Sequence, residues 1–258
     1  MNNDLIPLFY KAEDYFFRSI SCECLDFDDN ACFYITGLDS EYLNPFRLLN
    51  NILNIKDVLN ECIALTQKQN VNWIINISEH VMNKNLESTL NQMSFKFDLK
   101  YASMFINLAQ YNNTHSNNNI IKNTNDNLND WMMPLIGAFE STFDQTDLYR
   151  QRHQKALNNK ANFHHFTLYD NNLPVASLTM SINNNIARID DVGTLPTYQG
   201  KGYATSLMHI ALGEAKQRNV THCFLEASTS GLSLYQKIGF NALFTNYIYK
   251  SITPNHLT

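Results

Sequence analysis

One segment of the chain combines residue types that suit the binding of a phosphate group. It reads Val192-Gly193-Thr194-Leu195-Pro196-Thr197-Tyr198-Gln199-Gly200-Lys201-Gly202-Tyr203-Ala204-Thr205. The residues up to Thr194 predict a strand and the apolar residues after Gly202 predict a helix, so the glycines lie where a helix begins. The first turn of a helix offers unpaired backbone N–H groups and the positive end of the helix dipole. The segment therefore predicts a cradle for an anion, and a pyrophosphate suits it.

The residue types inside this cradle favour the same interpretation. Gly200 and Gly202 allow positive φ angles and a close approach of the backbone to a ligand, and Lys201 adds positive charge at the rim. The segment contains neither the Gly-Lys-Ser/Thr of a Walker A loop nor a GxGxxG pattern. An ordinary turn between a strand and a helix is the alternative interpretation of these glycines.

The elements that must position the cradle follow from changes in the hydrophobic period. Apolar residues at helical spacing predict helices over 131–143 and 148–157, with Pro134 in the first turn of the former. Three strands are expected at 163–169, 174–182 and 186–194, separated by turns rich in Asn, which together make an antiparallel meander. Beyond the cradle we expect a helix at 204–215, a strand at 220–227, a short helix at 232–238 and a strand at 243–250.

A second segment, Leu225-Glu226-Ala227-Ser228-Thr229-Ser230-Gly231-Leu232-Ser233-Leu234-Tyr235-Gln236-Lys237-Ile238-Gly239-Phe240, makes the pattern specific. Gln199-Gly200-Lys201-Gly202-Tyr203-Ala204 resembles the Gln/Arg-x-x-Gly-x-Gly/Ala signature of the GNAT (Gcn5-related) N-acetyltransferase superfamily. The second segment, which ends in Leu-Tyr-x-Lys-x-Gly-Phe, resembles the second signature of that family. The resemblance covers residues 128–250 and implies an α+β fold with a mixed α/β sheet, the acyl-CoA N-acyltransferase fold.

The resemblance also implies roles for individual residues. The backbone of Val192, Gly193 and Thr194 is expected to pair with the pantetheine arm and to hold the acetyl carbonyl of acetyl-CoA. The residues expected to hold the pyrophosphate are Gln199, Gly200, Lys201, Gly202, Tyr203, Ala204 and Thr205. Ser228 stands where many members have Asn and Gly231 where many have Ala, so both are expected beside the coenzyme.

Tyr235 matches the tyrosine that in this family often lies beside the coenzyme sulfur. It is expected to act as a general acid that protonates the leaving thiolate; packing against the coenzyme without proton transfer is the alternative. The attacking amine must also lose a proton, and the candidate bases are Asp190, Asp191, Glu226 and, more distantly, Glu140. Because side chains alternate along a strand, only one of Asp190 and Asp191 is expected to face the substrate, and Asp190 is the preferred candidate.

The first half of the sequence contains no such cradle. A strand at 33–36, a helix from Leu48 to Ile63, a strand at 71–77, a helix at 86–93 and an extended segment at 95–108 are expected. This order, helix, strand, short helix, strand, repeats the end of the second half, and Ser94-Phe95 falls where Gly239-Phe240 falls. We expect a degenerate GNAT-like or substrate-shaping domain at 1–110, an Asn-rich linker at 111–129 and a catalytic domain at 130–258, in a tandem or pseudo-tandem arrangement.

Composition limits the remaining function classes. The formal net charge of −5 and the absence of a basic cluster disfavour nucleic acid as a partner, and no apolar run is long enough to span a membrane. The five cysteines have no metal-binding spacing, His164 and His165 point to opposite faces of a strand, and no metal is expected. The sequence thus predicts a cytoplasmic monomer or homodimer that moves the acetyl group of acetyl-CoA to a primary amine of a small molecule or peptide. The alternatives are a non-catalytic acyl-CoA-binding sensor or regulatory module, and the transfer of a longer acyl group.

Overall fold

The computed structural model describes residues 3–112 and 119–252, and within them the chain forms seven α-helices and eleven β-strands. The helices are α1 (Ile6–Ile20), α2 (Ile55–Gln69), α3 (Lys84–Gln92), α4 (Leu128–Ala138), α5 (Phe143–Asn158), α6 (Tyr203–Gln217) and α7 (Leu232–Ile238). The strands are β1 (Glu23–Phe27), β2 (Ala31–Ile35), β3 (Pro45–Leu48), β4 (Ile74–Ser78), β5 (Phe95–Asn107), β6 (Ile120–Asn123), β7 (Phe163–Asp170), β8 (Leu173–Asn183), β9 (Ile186–Thr194), β10 (His222–Ala227) and β11 (Asn241–Ser251).

The chain divides into two compact units, and neither is continuous in sequence. The first unit comprises Met1–Ile20 and Met104–Leu243, and the second comprises Ser21–Ser103 and Phe244–Thr258. Strands β5 and β11 therefore each begin in one unit and end in the other. The predicted boundaries differ from this division, because the N-terminal helix belongs with the later half of the chain and the last strand belongs largely with the earlier half.

In the first unit the strand order is β5-β10-β9-β8-β7-β6. Strands β7, β8 and β9 form the predicted antiparallel meander of three strands. Strand β6, which was not predicted, pairs with β7 in antiparallel, and β10 pairs with β9 in parallel. His165 on β7 contacts His153 of α5, whereas its neighbour His164 contacts Glu214 of α6. Since neighbouring side chains of a strand point to opposite faces, α5 covers one face of the sheet and α6 covers the other. Helix α1 packs against α5, β8 and β9, and α4 packs against β8 and β9.

The second unit has the strand order β1-β2-β3-β4-β11-β5. Its core contains the aromatic side chains of Phe33, Phe46, Trp73 and Phe95, which contact one another in largely edge-on and tilted arrangements. Strands β3 and β4 are parallel and paired from Pro45↔Ile74 to Leu48↔Ile77. The predicted helix start at Leu48 is therefore wrong, since Leu48 ends strand β3 and α2 begins only at Ile55.

The predicted Asn-rich linker contains ordered structure at both of its described ends. Residues Ile120–Asn123 form β6 and pair with β7, and the side chain of Asn125 then binds the backbone of Phe163 and His165. Tyr111 is buried and its hydroxyl contacts Nδ1 of His209 at 2.6 Å. The middle of the predicted linker, residues 113–118, lies outside the described residues.

Helix α4 begins earlier than expected. It starts at Leu128, so that Pro134 lies in its interior instead of its first turn. A proline inside a helix removes one backbone hydrogen bond, but Trp131, Met132 and Leu135 on the same helix are buried. Burial of these large apolar side chains outweighs the lost hydrogen bond.

Candidate active site

The parallel strands β9 and β10 stay paired for only part of their length. Their register runs from His222↔Ile186 to Phe224↔Arg188. Beyond those pairs β9 continues through Ile189–Thr194 and β10 through Leu225–Ala227. The two strands therefore separate toward their carboxyl ends and leave backbone N–H and C=O groups on facing edges. An extended ligand can pair with such edges in the way that an added strand does.

A β-bulge lies in β9 at this opening. Ser177 of β8 pairs with Gly193 and Thr179 pairs with Asp190, so Asp191 and Val192 both lie opposite Leu178. Asp191 adopts a left-handed conformation with φ of 57°. An extra residue of this kind interrupts the alternation of side chains and redirects the strand. The alternation that favoured Asp190 over Asp191 thus does not hold across this pair.

The end of β9 is held against α4 by two glycines. A Cβ on Gly193 would lie 2.8 Å from Cδ2 of Leu135, and a Cβ on Gly137 would lie 2.9 Å from Cδ2 of Leu195. Both distances are shorter than contacts between carbon atoms allow. Only glycine lets the helix and the strand approach this closely, so Gly193 supports the opening through packing as well as through its backbone.

The predicted anion cradle lies at the start of α6. Gly200 and Gly202 adopt φ angles of 76° and 79°, and a Cβ on either would meet nothing within 4 Å. Their positive φ angles agree with the expectation from sequence. Among the described residues no side chain caps α6, and its first backbone hydrogen bond runs from Ser206 N–H to the carbonyl of Gly202. The amides of Tyr203, Ala204 and Thr205 therefore form the open first turn.

Gln199 and Lys201 are tied to neighbours around the cradle. The side-chain amide of Gln199 donates to the carbonyl of Thr194 at 3.3 Å, which links the loop to the end of β9. The ammonium group of Lys201 lies 4.5 Å from the ring centre of Tyr198 and 3.9 Å from a carboxylate oxygen of Asp170. Lys201 is at the rim, as expected, but Asp170 offsets part of its charge.

Tyr235 is buried on α7. Burial and the nearby charge of Asp190 raise the pKa of the Tyr235 phenol to about 12, so the hydroxyl keeps its proton at neutral pH. A Cβ on Gly231 would lie 3.1 Å from the Tyr235 ring, and the Ser228 hydroxyl accepts a hydrogen bond from the Gly231 amide at 3.3 Å. Ser228 and Gly231 therefore shape the start of α7 and leave room for the Tyr235 ring.

Two of the four carboxylates proposed as bases from the sequence, Asp190 and Glu226, contact one buried arginine. Nε of Arg188 lies 2.9 and 3.1 Å from the two oxygens of Asp190, and its NH2 group lies 3.2 Å from Glu226. A third carboxylate, Glu13 of α1, lies 3.8 Å from the NH1 group. Burial alone would lower the pKa of Arg188, but Asp190, Glu226 and Glu13 together raise it. This group of four residues, the Arg188 cluster, fills the base of the opening.

The pKa of Asp190 is a balance of opposing effects. Burial raises it to about 7, the contact with Arg188 works against that rise, and the charges of Asp191 and Glu226 add to it. Asp191 contacts a different set of residues: Tyr149 on α5 donates its hydroxyl proton to Asp191 at 2.9 Å. The structure thus places Asp190 in an ion pair and Asp191 beside α5.

Sequence reasoning missed Glu13, Arg188 and Tyr149 as parts of this site. Helix α1 has a readable signal, because Phe9, Ala12, Phe16 and Ile20 recur at helical spacing and are buried. The pairing of Glu13 with Arg188 joins residues far apart in sequence, and no local pattern indicates it. Tyr149 was only one residue of a predicted helix.

Two other features bear on the location of ligands. A cavity of about 960 Å³ is lined by Asp4, Phe105, Tyr111, His222 and Gly239, among others. His222 is the first residue of β10, whereas the opening lies at the end of that strand, so the cavity is not the predicted coenzyme site.

The described residues contain no group of three or more His, Cys, Asp or Glu that is arranged to hold a metal ion. Among the helices of the described residues, none has the length and apolar character that a membrane span requires.

Comparison with family models gave one match. Residues 127–240 match the model of the acetyltransferase (GNAT) family, so the chain contains a GNAT domain. Comparison with curated protein sequences found no match.

Several solved structures share the fold. A GCN5-related N-acetyltransferase from Kribbella flavida aligns with a TM-score of 0.68 at 10% identity, covering 93% of this chain and 94% of its own. One from Sphaerobacter thermophilus aligns with a TM-score of 0.61 at 13% identity, covering 88% and 82%. A tandem GNAT protein from the clavulanic acid biosynthesis pathway aligns with a TM-score of 0.58 at 8% identity, covering 86% and 78%. The chain therefore has the mixed-sheet GNAT fold, and residues 127–240 are similar to the acetyltransferases of that family.

Proposed function

We propose that this protein transfers the acetyl group of acetyl-CoA to a primary amine. The observation that carries the proposal is the opening between β9 and β10 beyond Arg188 and Phe224, with the uncapped start of α6 beside the end of β9. In the proposed complex the pyrophosphate binds at Gln199–Thr205. The pantetheine arm pairs with the backbone of Val192, Gly193 and Thr194, and Ser228 and Gly231 border the coenzyme.

The proposed reaction is a direct transfer. The acceptor enters as an ammonium ion and loses one proton to a base, and its nitrogen then attacks the thioester carbonyl carbon. A carbon–nitrogen bond forms, the carbon–sulfur bond breaks, and the thiolate takes a proton from the hydroxyl of Tyr235. The second proton of the attacking nitrogen restores that hydroxyl through solvent, and the proton on the base is released. Tyr235 suits this role because its raised pKa keeps it protonated.

Binding of the coenzyme is tested with the cradle glycines. Acetyl-CoA at 100 times its Kd should stabilise the wild-type protein by about 2.7 kcal/mol in a thermal-shift measurement. The double variant Gly200→Ala/Gly202→Ala should lose most of this stabilisation, because each alanine is strained at positive φ and brings a methyl group toward the ligand. Gly37→Ala in the second unit is the matched control, since Gly37 has a φ of 72°. Failure of acetyl-CoA to stabilise the wild type would contradict the proposal.

The role of Tyr235 is tested by the variant Tyr235→Phe. Release of free CoA in the presence of a panel of primary amines should fall by about 10²–10⁴-fold, the usual contribution of a general acid. Stabilisation by acetyl-CoA should persist, because the ring remains in place. Unchanged CoA release would leave Tyr235 with a packing role only.

A binding module without transfer is the second candidate. Asp190 and Glu226 both contact Arg188, so neither is an independent proton acceptor. Such a module would bind acetyl-CoA and release no CoA with any amine. Acyl-CoAs with longer chains, run in the same assay, distinguish acetyl transfer from transfer of a larger group.

We further propose that the second unit is a degenerate GNAT-like domain, which makes the arrangement pseudo-tandem. The repeated element order supports this, since α2-β4-α3-β5 matches α6-β10-α7-β11. Ser94 and Gly239 follow the two short helices with φ angles of 65° and 113°, and each precedes a buried phenylalanine. The five cysteines are free, in keeping with the cytoplasmic setting expected from the sequence.

A further inference from the structure

Five polar side chains form a continuous series in the interior of the first unit. They are Asp191 on β9, Tyr149 and His153 on α5, His165 on β7 and Asn125 before α4, and we refer to them as the buried polar chain. His153 and His165 are fully buried, and Tyr149 is nearly so. The reaction steps proposed above assign a role to none of them. Their hydrogen bonds determine where the protons lie.

Asn125 fixes the first proton. Its Nδ2 donates to the carbonyl of Phe163 at 2.7 Å, and its Oδ1 accepts from the backbone N–H of His165 at 2.9 Å. Because a carbonyl only accepts and a backbone N–H only donates, the orientation of the Asn125 amide is settled. The same Oδ1 lies 2.8 Å from Nδ1 of His165, so this ring nitrogen carries a proton and donates it.

The proton on His153 follows from His165. Burial, together with the charge of His164, lowers the pKa of His165 to about 3, so the ring is neutral and its Nε2 accepts. This Nε2 lies 2.8 Å from Nδ1 of His153, which therefore donates. Burial, with His165 nearby, also lowers the pKa of His153 well below its usual value. His153 is then neutral with a free lone pair on Nε2.

That lone pair faces Asp191. Nε2 of His153 lies 3.9 Å from Oδ2 of Asp191, and neither atom has a hydrogen-bond partner among the described residues. The other oxygen, Oδ1, accepts the proton of the Tyr149 hydroxyl. Two acceptors therefore face each other inside the protein. A proton added to Oδ2 gains an acceptor at Nε2, directly or through one water molecule, which makes proton uptake favourable.

The surrounding groups act on Asp191 in both directions. Burial raises its pKa to about 6, while the hydroxyls of Thr179 and Tyr149 and the charge of Arg188 lower it. Asp190 is the neighbouring carboxyl group on β9. Burial, and then the charges of Asp191 and Asp190, raise the pKa of Tyr149. Tyr149 therefore stays protonated and remains a donor to Asp191.

Only one member of the chain can receive a proton from a substrate. The Asp191 side chain is 11% exposed and His153 is not exposed at all. Asp191 also precedes Val192, which is proposed to pair with the coenzyme, whereas Asp190 is held by Arg188. We propose that Asp191 is the general base that accepts the proton of the acceptor amine, and that His153, His165, Asn125 and Tyr149 are positioning residues for it. This inference rests on the proposed transfer to an amine.

In the proposed step one proton passes from the acceptor to Asp191 and later to solvent. The ammonium group of the acceptor gives one proton to Oδ2 of Asp191, which becomes a neutral carboxylic acid that can donate to Nε2 of His153. The neutral amine then attacks the thioester. After the coenzyme and the product leave, Asp191 releases the proton to solvent.

The variants Asp191→Asn and Asp190→Asn test the assignment as a matched pair. Both replace an aspartate of β9 with its uncharged isostere. In the wild type, kcat/KM for CoA release should fall below a pH of about 6, where Asp191 becomes protonated. Asp191→Asn should lower kcat/KM by about 10²–10³-fold and remove this fall, because asparagine cannot accept the proton. Asp190→Asn should keep the fall in kcat/KM at low pH.

Two outcomes together would contradict the assignment of Asp191 as the base. If Asp190→Asn removes the fall at low pH and Asp191→Asn stays within about threefold of the wild type, the base is not Asp191. We expect the Asp191→Asn variant to fold, because the new amide can donate a hydrogen bond from Nδ2 to Nε2 of His153 and still accept one from Tyr149. A loss of activity in this variant is then distinct from a loss of folding. We therefore expect Asp191→Asn to raise the Tm at pH 8 by ~2–8 °C.

His153→Gln tests positioning separately from stability. A glutamine amide beside Oδ2 would donate a hydrogen bond and favour the charged carboxylate. The fall in kcat/KM should then move to lower pH, whereas lower activity at an unchanged pH would mean a purely structural role. The ring nitrogens of His153 and His165, read by ¹⁵N NMR at pH 8 with this variant as the assignment control, should both show the proton on Nδ1. A proton on Nε2 of His153 would contradict the inference.

Failure of the proposed function looks different. If the wild type releases no CoA with any amine, the transfer reaction and the base role of Asp191 are both overturned. The Nδ1 protons and the higher Tm of Asp191→Asn would then mark a buried pair without chemistry. If transfer occurs and Asp191→Asn remains active, only the base assignment falls.

Discussion

The order β3-α2-β4-α3-β5 matches the order β9-α6-β10-α7-β11, but the parallel strands within these two series differ. In the second unit β3 ends at Leu48, where its pairing with β4 also ends. In the first unit β9 runs on past the last pair with β10 and carries a β-bulge. An opening for an extended ligand thus needs a strand that continues beyond its last pair with the neighbouring strand. The order of the elements alone does not provide such a strand.

The residues around the parallel strands differ in the same way. Arg47 of β3 and Arg188 of β9 are both fully buried. Arg47 donates to the amide oxygen of Asn246 at 2.9 Å, whereas Arg188 lies among three carboxylates. At the start of the following helix, α2 has Asn54 while α6 has the left-handed Gly202. Both helix starts lack a side-chain cap. Within the described residues the contrast therefore lies in the carboxylates around Arg188 and in the positive φ of Gly202.

The largest expected effect concerns the Arg188 cluster. Arg188→Met leaves Asp190, Glu226 and Glu13 buried without their cation, and breaking such a group typically costs about 3–5 kcal/mol of unfolding free energy. Chemical denaturation at pH 8 should show this loss. At pH 5 the loss should be smaller, because carboxylates without a cation become neutral there.

A pH-independent loss from Arg188→Met would mean that the carboxylates do not depend on this arginine. The two units would then differ in the geometry of their parallel strands and not in the role of buried charge. Arg47→Met, measured under the same two conditions, gives the corresponding value for the second unit.

A smaller effect is expected at the two left-handed residues that follow α3 and α7. Gly239→Ala should lower the unfolding free energy by about 1–2 kcal/mol, because an L side chain is strained at positive φ. Ser94→Gly should raise it by up to about 1 kcal/mol, since glycine relieves the same strain. Thermal unfolding of both variants measures the changes. Effects of the same sign would contradict the equivalence of these two positions.

The smallest effect is expected at a partly exposed ion pair on α5. Asp147 and Arg150 lie 2.7 Å apart, and hydrogen bonds from Arg150 and Gln151 lower the pKa of Asp147. Arg150→Met should change the unfolding free energy by less than about 1 kcal/mol, because solvent screens a pair at the surface. A loss as large as that of Arg188→Met would show that burial does not set the strength of these pairs.

The positions of Gly200, Gly202 and Tyr235 in the fold could be predicted because their sequence signal is local. A strand, two glycines and a helix within a few residues determine where Gly200 and Gly202 lie, and the structure agrees. The antiparallel meander could also be predicted, because its strands follow a strand-like residue pattern and are separated by Asn-rich turns.

The left-handed conformation of Asp191 could not be predicted from sequence, because the prediction assumed an unbroken period of two along β9. The bulge depends on how β8 and β9 pair, and pairing is a property of two strands together. The Arg188 cluster and the buried polar chain join residues from α1, α5, β7 and β9. Because these residues are far apart in sequence, no local pattern predicts that they come into contact. Helix α1 was missed although its apolar spacing was visible.

The discontinuity of both units has a consequence for synthesis on the ribosome. Helix α1 is translated before Ser21–Ser103, and its partners on α5 and β9 are translated after that segment. Strand β11, which pairs with β4 from Asn246↔Ser78 to Lys250↔Ile74, is translated after both. The first unit therefore cannot finish folding before the ribosome reaches residue 243, and the second cannot finish before β11 has been made. Nascent chains halted before residue 244 should therefore be sensitive to protease in the second unit, and a fragment that begins at residue 130 lacks the helix that carries Glu13.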